Sequence, residues 1–213
     1  MLFCPVILKK MKLINSYNTK NTELIHKGYS VHTGEYIRRG WDLFRKRTDY
    51  FILFTLVFFI ASSIPLADLL LIPPLAAGFI LVAHYLASGK QVYFEDFFNG
   101  FRHFAELFLF TLIAIVLVFI AFLALILPGI YLSVGYIFVP FYIIFGKMGF
   151  WEAMEASRLV IHREWFGIFG FVLVLIMINI LGFMALGIGL LITVPLSYCA
   201  LYAAFDDIVG ISN

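Results

Sequence analysis

The chain has 213 residues, 63% of them hydrophobic and 13% charged, with a net charge of +2. Soluble domains hold about 45–50% apolar and about 25% charged residues, so this composition excludes a soluble globular protein, a disordered tail and a fibrous repeat. At about 20 residues per helical crossing the length allows roughly six spans, and so small a net charge points to no nucleic-acid partner.

Residues 1–34 read as a flexible polar tail. Met1 to Leu8 is a short apolar piece followed by Lys9, Lys10 and Lys12, without the basic start and adequate apolar core of a signal peptide. Asn15 to Ser30 is polar, and a start at Met11 would leave the rest of the reading unchanged. Residues 35–210 form a single transmembrane helical domain. Ile37, Trp41 and Phe44 fall at helical spacing, with Arg38, Arg39, Asp42 and Arg45 elsewhere around the axis. Together Arg38, Arg39, Arg45, Lys46 and Arg47 make a basic cluster beside the first span, partly offset by Glu35 and Asp42. Such cations set topology, and each gains about 1 kcal/mol from anionic lipid. The five are therefore candidate anionic-lipid contacts.

Four stretches then lack Lys, Arg, Asp and Glu: Tyr50 to Ala67, Leu69 to Gly89, Leu107 to Gly146, and Trp165 to Phe205. The first two are separated by Pro65, Asp68, Pro73 and Pro74. The last two run 40 and 41 residues, with turn signals at Pro128-Gly129 and at Gly182, Gly187 and Gly189. Proline and glycine so placed predict turns, so six helices in three hairpins are expected. None of these runs alternates strictly, which excludes a β-barrel.

The short charged segments between hairpins repeat a pattern. Asp49, Glu106 and Glu164 stand at the start of each hairpin, 57 and 58 residues apart. Ahead of the second lies a stripe of Phe94, Phe97, Phe98, Phe101 and Phe104; ahead of the third lie Trp151, Met154 and Ile161. Offsets of three and four residues predict amphipathic helices. The repeating unit is an interfacial helix followed by a hairpin, over about 35–90, 91–148 and 149–210. Ten of the fifteen cations precede the first span, and the other five fall between hairpins. With six spans all of them lie on one face, which the positive-inside bias makes cytoplasmic. Both termini are expected there, with only tight turns outside.

Within the spans His84 and Asn179 are the candidate polar contacts. His84 serves helix packing or, on the sharper reading, a proton relay. Asn179 lies in the apolar run Leu173 to Leu181 and needs a partner, either a neighbouring helix or a lipid headgroup or substrate. Pro140 and Pro195, both in second helices, predict kinks. Thr193 and Ser197 stand ready to bond the carbonyls freed near Pro195. The histidines show no convergent ligand spacing, there is no GxSxG sequence, and Cys4 and Cys199 form no knuckle or disulfide framework. No catalytic, metal or cofactor residues are assigned.

The run Gly40-Trp41-Asp42-Leu43-Phe44 recurs in a known order with Leu127-Pro128-Gly129-Ile130-Tyr131. After these come the segment Gly149 to Arg163, then Asn179, Gly182, Pro195 and the end Ala204-Phe205-Asp206-Asp207. This order resembles a broad group of bacterial multi-pass membrane proteins related to the membrane-anchor domain of some glycerophosphodiester phosphodiesterases. The similarity covers roughly residues 35 to 210, and the soluble phosphodiesterase domain with its metal-binding carboxylates is absent. The resemblance implies a multi-pass protein of the bacterial cytoplasmic membrane and carries no catalysis. The expected role is non-catalytic organisation of membrane or envelope, through lipid or a membrane-protein partner. The alternative is a transporter or channel for lipid or a small apolar solute.

Overall fold

In the computed structural model, which describes residues 4–64 and 67–211, the chain is all-α. Asp68, one of the residues that separate the first two apolar stretches, has its side chain outside the described part. The first helix, α1 (Cys4–Lys27), and α2 (Thr33–Lys46) precede the first hairpin, made of α3 (Thr48–Ser62) and α4 (Ala67–Ala87). A 3-10 helix, η1 (Phe94–His103), leads to α5 (Phe104–Ala124), α6 (Ile126–Gly135) and α7 (Val139–Ile144). Then α8 (Phe150–Arg163) precedes the last hairpin, α9 (Trp165–Met184) and α10 (Leu190–Ile208). Five stretches are long and apolar enough to cross a membrane: Leu69–Ala87, Phe94–Ala124, Ile126–Ile144, Trp165–Met184 and Leu190–Ile208. The sixth apolar helix, α3, has 15 residues, about 22 Å at ~1.5 Å per residue, against a hydrocarbon core of about 30 Å.

The connecting helices follow one rule. Each packs on the second helix of the hairpin before it: η1 along α4, and α8 along α6 and α7. With no hairpin before it, α2 packs along α10 instead, and this closes the bundle into a ring. The second helices form the inside. Only Leu107 of α5 is buried, whereas α10 buries nine residues from Pro195 to Ile208. The apolar residues of α5 and α9 instead form an exposed belt, with Phe119 at 62% and Leu181 at 66% of full exposure. Exposed apolar surface on this scale has a favourable solvent only in a bilayer.

Two aromatic clusters fill the interior. Phe51, Phe54, Phe79 and Phe97 join α3, α4 and η1, with ring centroids 4.4 to 6.4 Å apart. Phe138, Phe141, Tyr142 and Phe145 surround Phe205 where α7 meets α10.

Several expectations change. The segment read as a flexible tail contains α1, which packs on α8; Tyr17 and Asn21 are buried, and the Tyr142 hydroxyl donates to Asn21 Oδ1 at 2.7 Å. Its apolar positions are too sparse to announce a helix, but one buried face suffices. The second hairpin turns at Leu125, which is extended, and not at Pro128-Gly129. Pro128 falls in the first turn of α6, where its missing N–H costs no intrahelical bond. The phenylalanine stripe divides because η1 has three residues per turn, not 3.6. Phe97 and Gly100 share the buried face, while Phe98 and Phe101 are exposed.

Candidate functional site

The basic cluster is largely engaged with the protein itself. The Arg39 guanidinium is 2.7 Å from Asp206 of α10. Lys46 Nζ donates to the carbonyl of Leu86 at 2.9 Å, at the C-terminal end of α4. Arg47 donates to the Val92 carbonyl at 2.8 Å, pairs with Asp49 at 3.3 Å and stacks on Tyr50, 3.5 Å from the ring centroid. Arg45 pairs with Asp42 one turn away on the exposed side of α2. Arg38 is exposed, with no ion-pair or hydrogen-bond partner among the described residues. Three of the five cations therefore fasten α2 and the start of α3 to α10, α4 and the chain after α4. Arg38 and Arg45 are the two that no hydrogen bond or ion pair among the described residues ties to another element.

Beside Arg39, the buried Tyr36 hydroxyl donates to Asp207 at 2.8 Å. Burial, and then the adjoining carboxylate, raise the Tyr36 pKa well above its ordinary value near 10. Gly40 makes this docking close: a Cβ there would come within 2.7 Å of the Ala200 amide nitrogen. The same device serves η1. A Cβ on Gly100 would collide with the Pro74 carbonyl, and one on Gly78 with the Phe97 carbonyl. These are reciprocal backbone approaches of the Cα–H···O type.

The two intramembrane polar residues are held by helices. Asn179 Nδ2 donates to the Ser197 hydroxyl at 2.7 Å and to the Leu175 carbonyl at 2.8 Å. Ser197 in turn donates to the Thr193 carbonyl at 2.7 Å. Asn179 Oδ1 and Thr193 Oγ1 are buried without partners among the described residues. His84 Nδ1 lies 3.1 Å from the Tyr202 hydroxyl, and its ring rests 4.9 Å from that of Phe145. So Asn179 ties α9 to α10, and His84 ties α4 to α10 against α7. Gly182 and Gly189 meet at the hairpin end, where Leu186 and Gly187 take positive φ.

A cavity lies elsewhere among the described residues. It has a volume of about 580 Å³ between the two inner helices α4 and α10, the α6–α7 junction, and α3 and α5. Phe58, Ile72, Phe110, Ile115 and Phe141 give it an apolar wall, with Pro73 and Pro140 contributing their rings. Neither His84 nor Asn179 lines it. Ile115 is also exposed on the lipid-facing side of α5, at 54%. Three hydroxyl-bearing residues stand in the wall: Ser62, Thr111 and Tyr198. Sequence reasoning missed Tyr198, because a tyrosine in an apolar run of α10 looks like any core aromatic. It missed Ser157 for a similar reason, as a small polar residue on an amphipathic helix.

Set against models of protein families, curated proteins and solved structures, the chain finds no match.

Proposed function

We propose that this protein is a non-catalytic organiser of a bacterial cytoplasmic membrane, acting through lipid and through a membrane-protein partner, with both termini in the cytoplasm. The resemblance of residues 35 to 210 to the membrane-anchor group belongs to the same proposal. The observation that carries it is how the polar groups inside the bundle are used. Asn179 bonds Ser197, His84 bonds Tyr202 and Tyr142 bonds Asn21, each joining one helix to another. Polar groups used in this way hold a shape. A solute path needs polar groups turned towards water, whereas the wall of the cavity between α4 and α10 is apolar. That supports the organising role over a transporter or channel.

The test is reconstitution into liposomes of phosphatidylethanolamine and phosphatidylglycerol. Flip-flop of a headgroup-labelled phospholipid and efflux of a trapped small solute are both followed. The expected result is rates equal to those of protein-free vesicles. Acceleration of either, proportional to protein content, would replace this proposal with the transport reading.

A further inference from the structure

The connection between α8 and α9 carries three ionisable residues in a row, His162, Arg163 and Glu164. The fold uses the first of them: His162 Nδ1 lies 2.9 Å from the Tyr131 hydroxyl of α6, which fixes the connection against the second hairpin. Arg163 is exposed and Glu164 partly buried, and neither side chain makes a hydrogen bond or an ion pair among the described residues, not even with the other. These residues border a cavity of about 440 Å³, whose remaining wall is Tyr131, Trp165 and Phe166. That volume is within the range of about 300–1,000 Å³ typical of sites for small molecules.

The cavity stands where polar chain meets apolar surface. The linker between α1 and α2 packs around its polar side. There the Arg163 guanidinium is 3.5 Å from the place a Cβ on Gly28 would take, and Tyr29 donates to the Val160 carbonyl at 3.1 Å. On the other side Phe166 is 84% exposed, at the head of the apolar stretch Trp165–Met184. A molecule filling this space meets two opposite charges and, beside them, exposed apolar surface. It is an amphiphile with a charged headgroup.

The two charges decide which headgroup. A purely anionic one would pair with Arg163 but stand beside the Glu164 carboxylate, a like-charge contact that costs affinity. A headgroup holding both a phosphate and an ammonium answers both side chains. The ammonium is also one that donates hydrogen bonds. Trp165 stacks with Phe169 at 4.9 Å and with Tyr131 at 6.1 Å, so its indole is engaged by protein rather than open as a cage for a quaternary cation. The Glu164 carboxylate is the acceptor that remains, and it favours a primary ammonium.

We propose that this cavity binds the headgroup of phosphatidylethanolamine, its phosphate paired with Arg163, its ammonium donating to Glu164 and its acyl chains running over Phe166 along α9. The site uses none of the α2 cations, and it stands whether or not the organising role is correct.

The experiment titrates the detergent-solubilised protein with phosphatidylethanolamine, phosphatidylcholine or phosphatidylglycerol of identical acyl chains and counts bound lipid by native mass spectrometry. Phosphatidylethanolamine should bind more tightly than phosphatidylcholine, whose quaternary ammonium has no proton to donate. Arg163→Gln and Glu164→Gln should each weaken it by about fivefold or more, the loss expected of one charge-assisted hydrogen bond. Glu164→Gln should leave phosphatidylglycerol binding equal or stronger, which a loosened fold would not do. Glu95→Gln, which removes an exposed carboxylate from η1, should change nothing, and thermal unfolding confirms that each variant folds. Soluble glycerophosphoethanolamine at the same concentration should leave the lipid bound. Equal binding of phosphatidylethanolamine and phosphatidylcholine would overturn the proposal, as would undiminished phosphatidylethanolamine binding in either site variant. So would loss of phosphatidylglycerol together with phosphatidylethanolamine in Glu164→Gln, or displacement by the soluble headgroup, which would make the ligand a water-borne phosphoester and not a lipid. Liposome flux does not enter this readout, so failure here and failure of the organising role are told apart.

Discussion

The Ser157 hydroxyl donates to the Gly135 carbonyl at 2.7 Å and accepts from the Phe138 amide at 3.2 Å. It spans the break between α6 and α7, where the helix is interrupted just ahead of Pro140. The break frees backbone groups in a place with no water, and one buried side chain on α8 satisfies a group on either side of it. Ser157→Ala leaves both unsatisfied. The expected loss is about 1–3 kcal/mol, read as a lower midpoint in detergent unfolding. Ser133→Ala removes only a bond to a carbonyl of its own helix, that of Gly129, and should change stability far less. Equal effects would show that the break does not depend on Ser157.

The glycines at helix crossings make a steric prediction. Gly40→Val drives a branched side chain into the Ala200 backbone, and Gly100→Ala drives a methyl group into the Pro74 carbonyl. Backbone cannot swing aside as a side chain does, so each should cost about 1–3 kcal/mol or more. Gly34 lies on the same helix as Gly40, and a methyl group added there would meet nothing within 4 Å, so Gly34→Ala should be close to neutral. A Gly40→Val protein as stable as Gly34→Ala would mean that α2 and α10 are not packed this closely.

These contacts also show what the sequence can and cannot announce. Charge-free runs and the turn residues between them reveal the apolar helices, since membrane burial is a property of each segment alone. The pairing of α2 with α10 is a relation between residues about 160 positions apart, such as Gly40 and Ala200, and no local periodicity encodes it. Period counting also assumes 3.6 residues per turn. In η1 that assumption places Phe98 and Phe101 with Phe97, whereas a three-residue turn puts Gly100 beside Phe97. Asn179 is legible as a residue in need of a partner, but its choice of Ser197 emerges only when α9 and α10 are brought together.

The α2–α10 contact should weaken in alkali. Tyr36 is buried and faces the Asp207 carboxylate, so the folded state favours its neutral form and raises its pKa above the ordinary value near 10. The unfolded chain then releases that proton first. Its contribution to stability is complete below pH ~10 and is lost as pH rises from there towards the folded value. Tyr29, whose hydroxyl donates to the Val160 carbonyl at 3.1 Å, is raised mainly by burial and behaves in the same direction. Unfolding measured between pH 9 and 11 should show the wild type losing stability more steeply than Tyr36→Phe. The difference is at most about 1.4 kcal/mol per pH unit for one group. Parallel curves would refute the assignment of Tyr36 as a group protonated in the fold.

The basic cluster should divide into two sets with opposite phenotypes. Arg39, Lys46 and Arg47 hold Asp206, the Leu86 carbonyl and the Val92 carbonyl. Neutralising them individually should lower unfolding stability, by about 1 kcal/mol for the half-exposed Arg39–Asp206 pair. Arg38 and Arg45 stand on the exposed side of α2, the latter opposed only by Asp42 in the next turn. Removing their charges should leave unfolding almost unchanged and instead weaken attachment of anionic lipid, by about 1 kcal/mol for each charge near the surface. Bound phosphatidylglycerol, counted by native mass spectrometry across increasing salt, separates the two effects because screening acts on the exposed pair. If Arg38→Gln with Arg45→Gln retained as much phosphatidylglycerol as the wild type, the cluster would be purely a fastening of α2 to the bundle. If it lost phosphatidylglycerol while Lys46→Gln lost only stability, five adjacent cations would be doing two jobs according to which way α2 faces them.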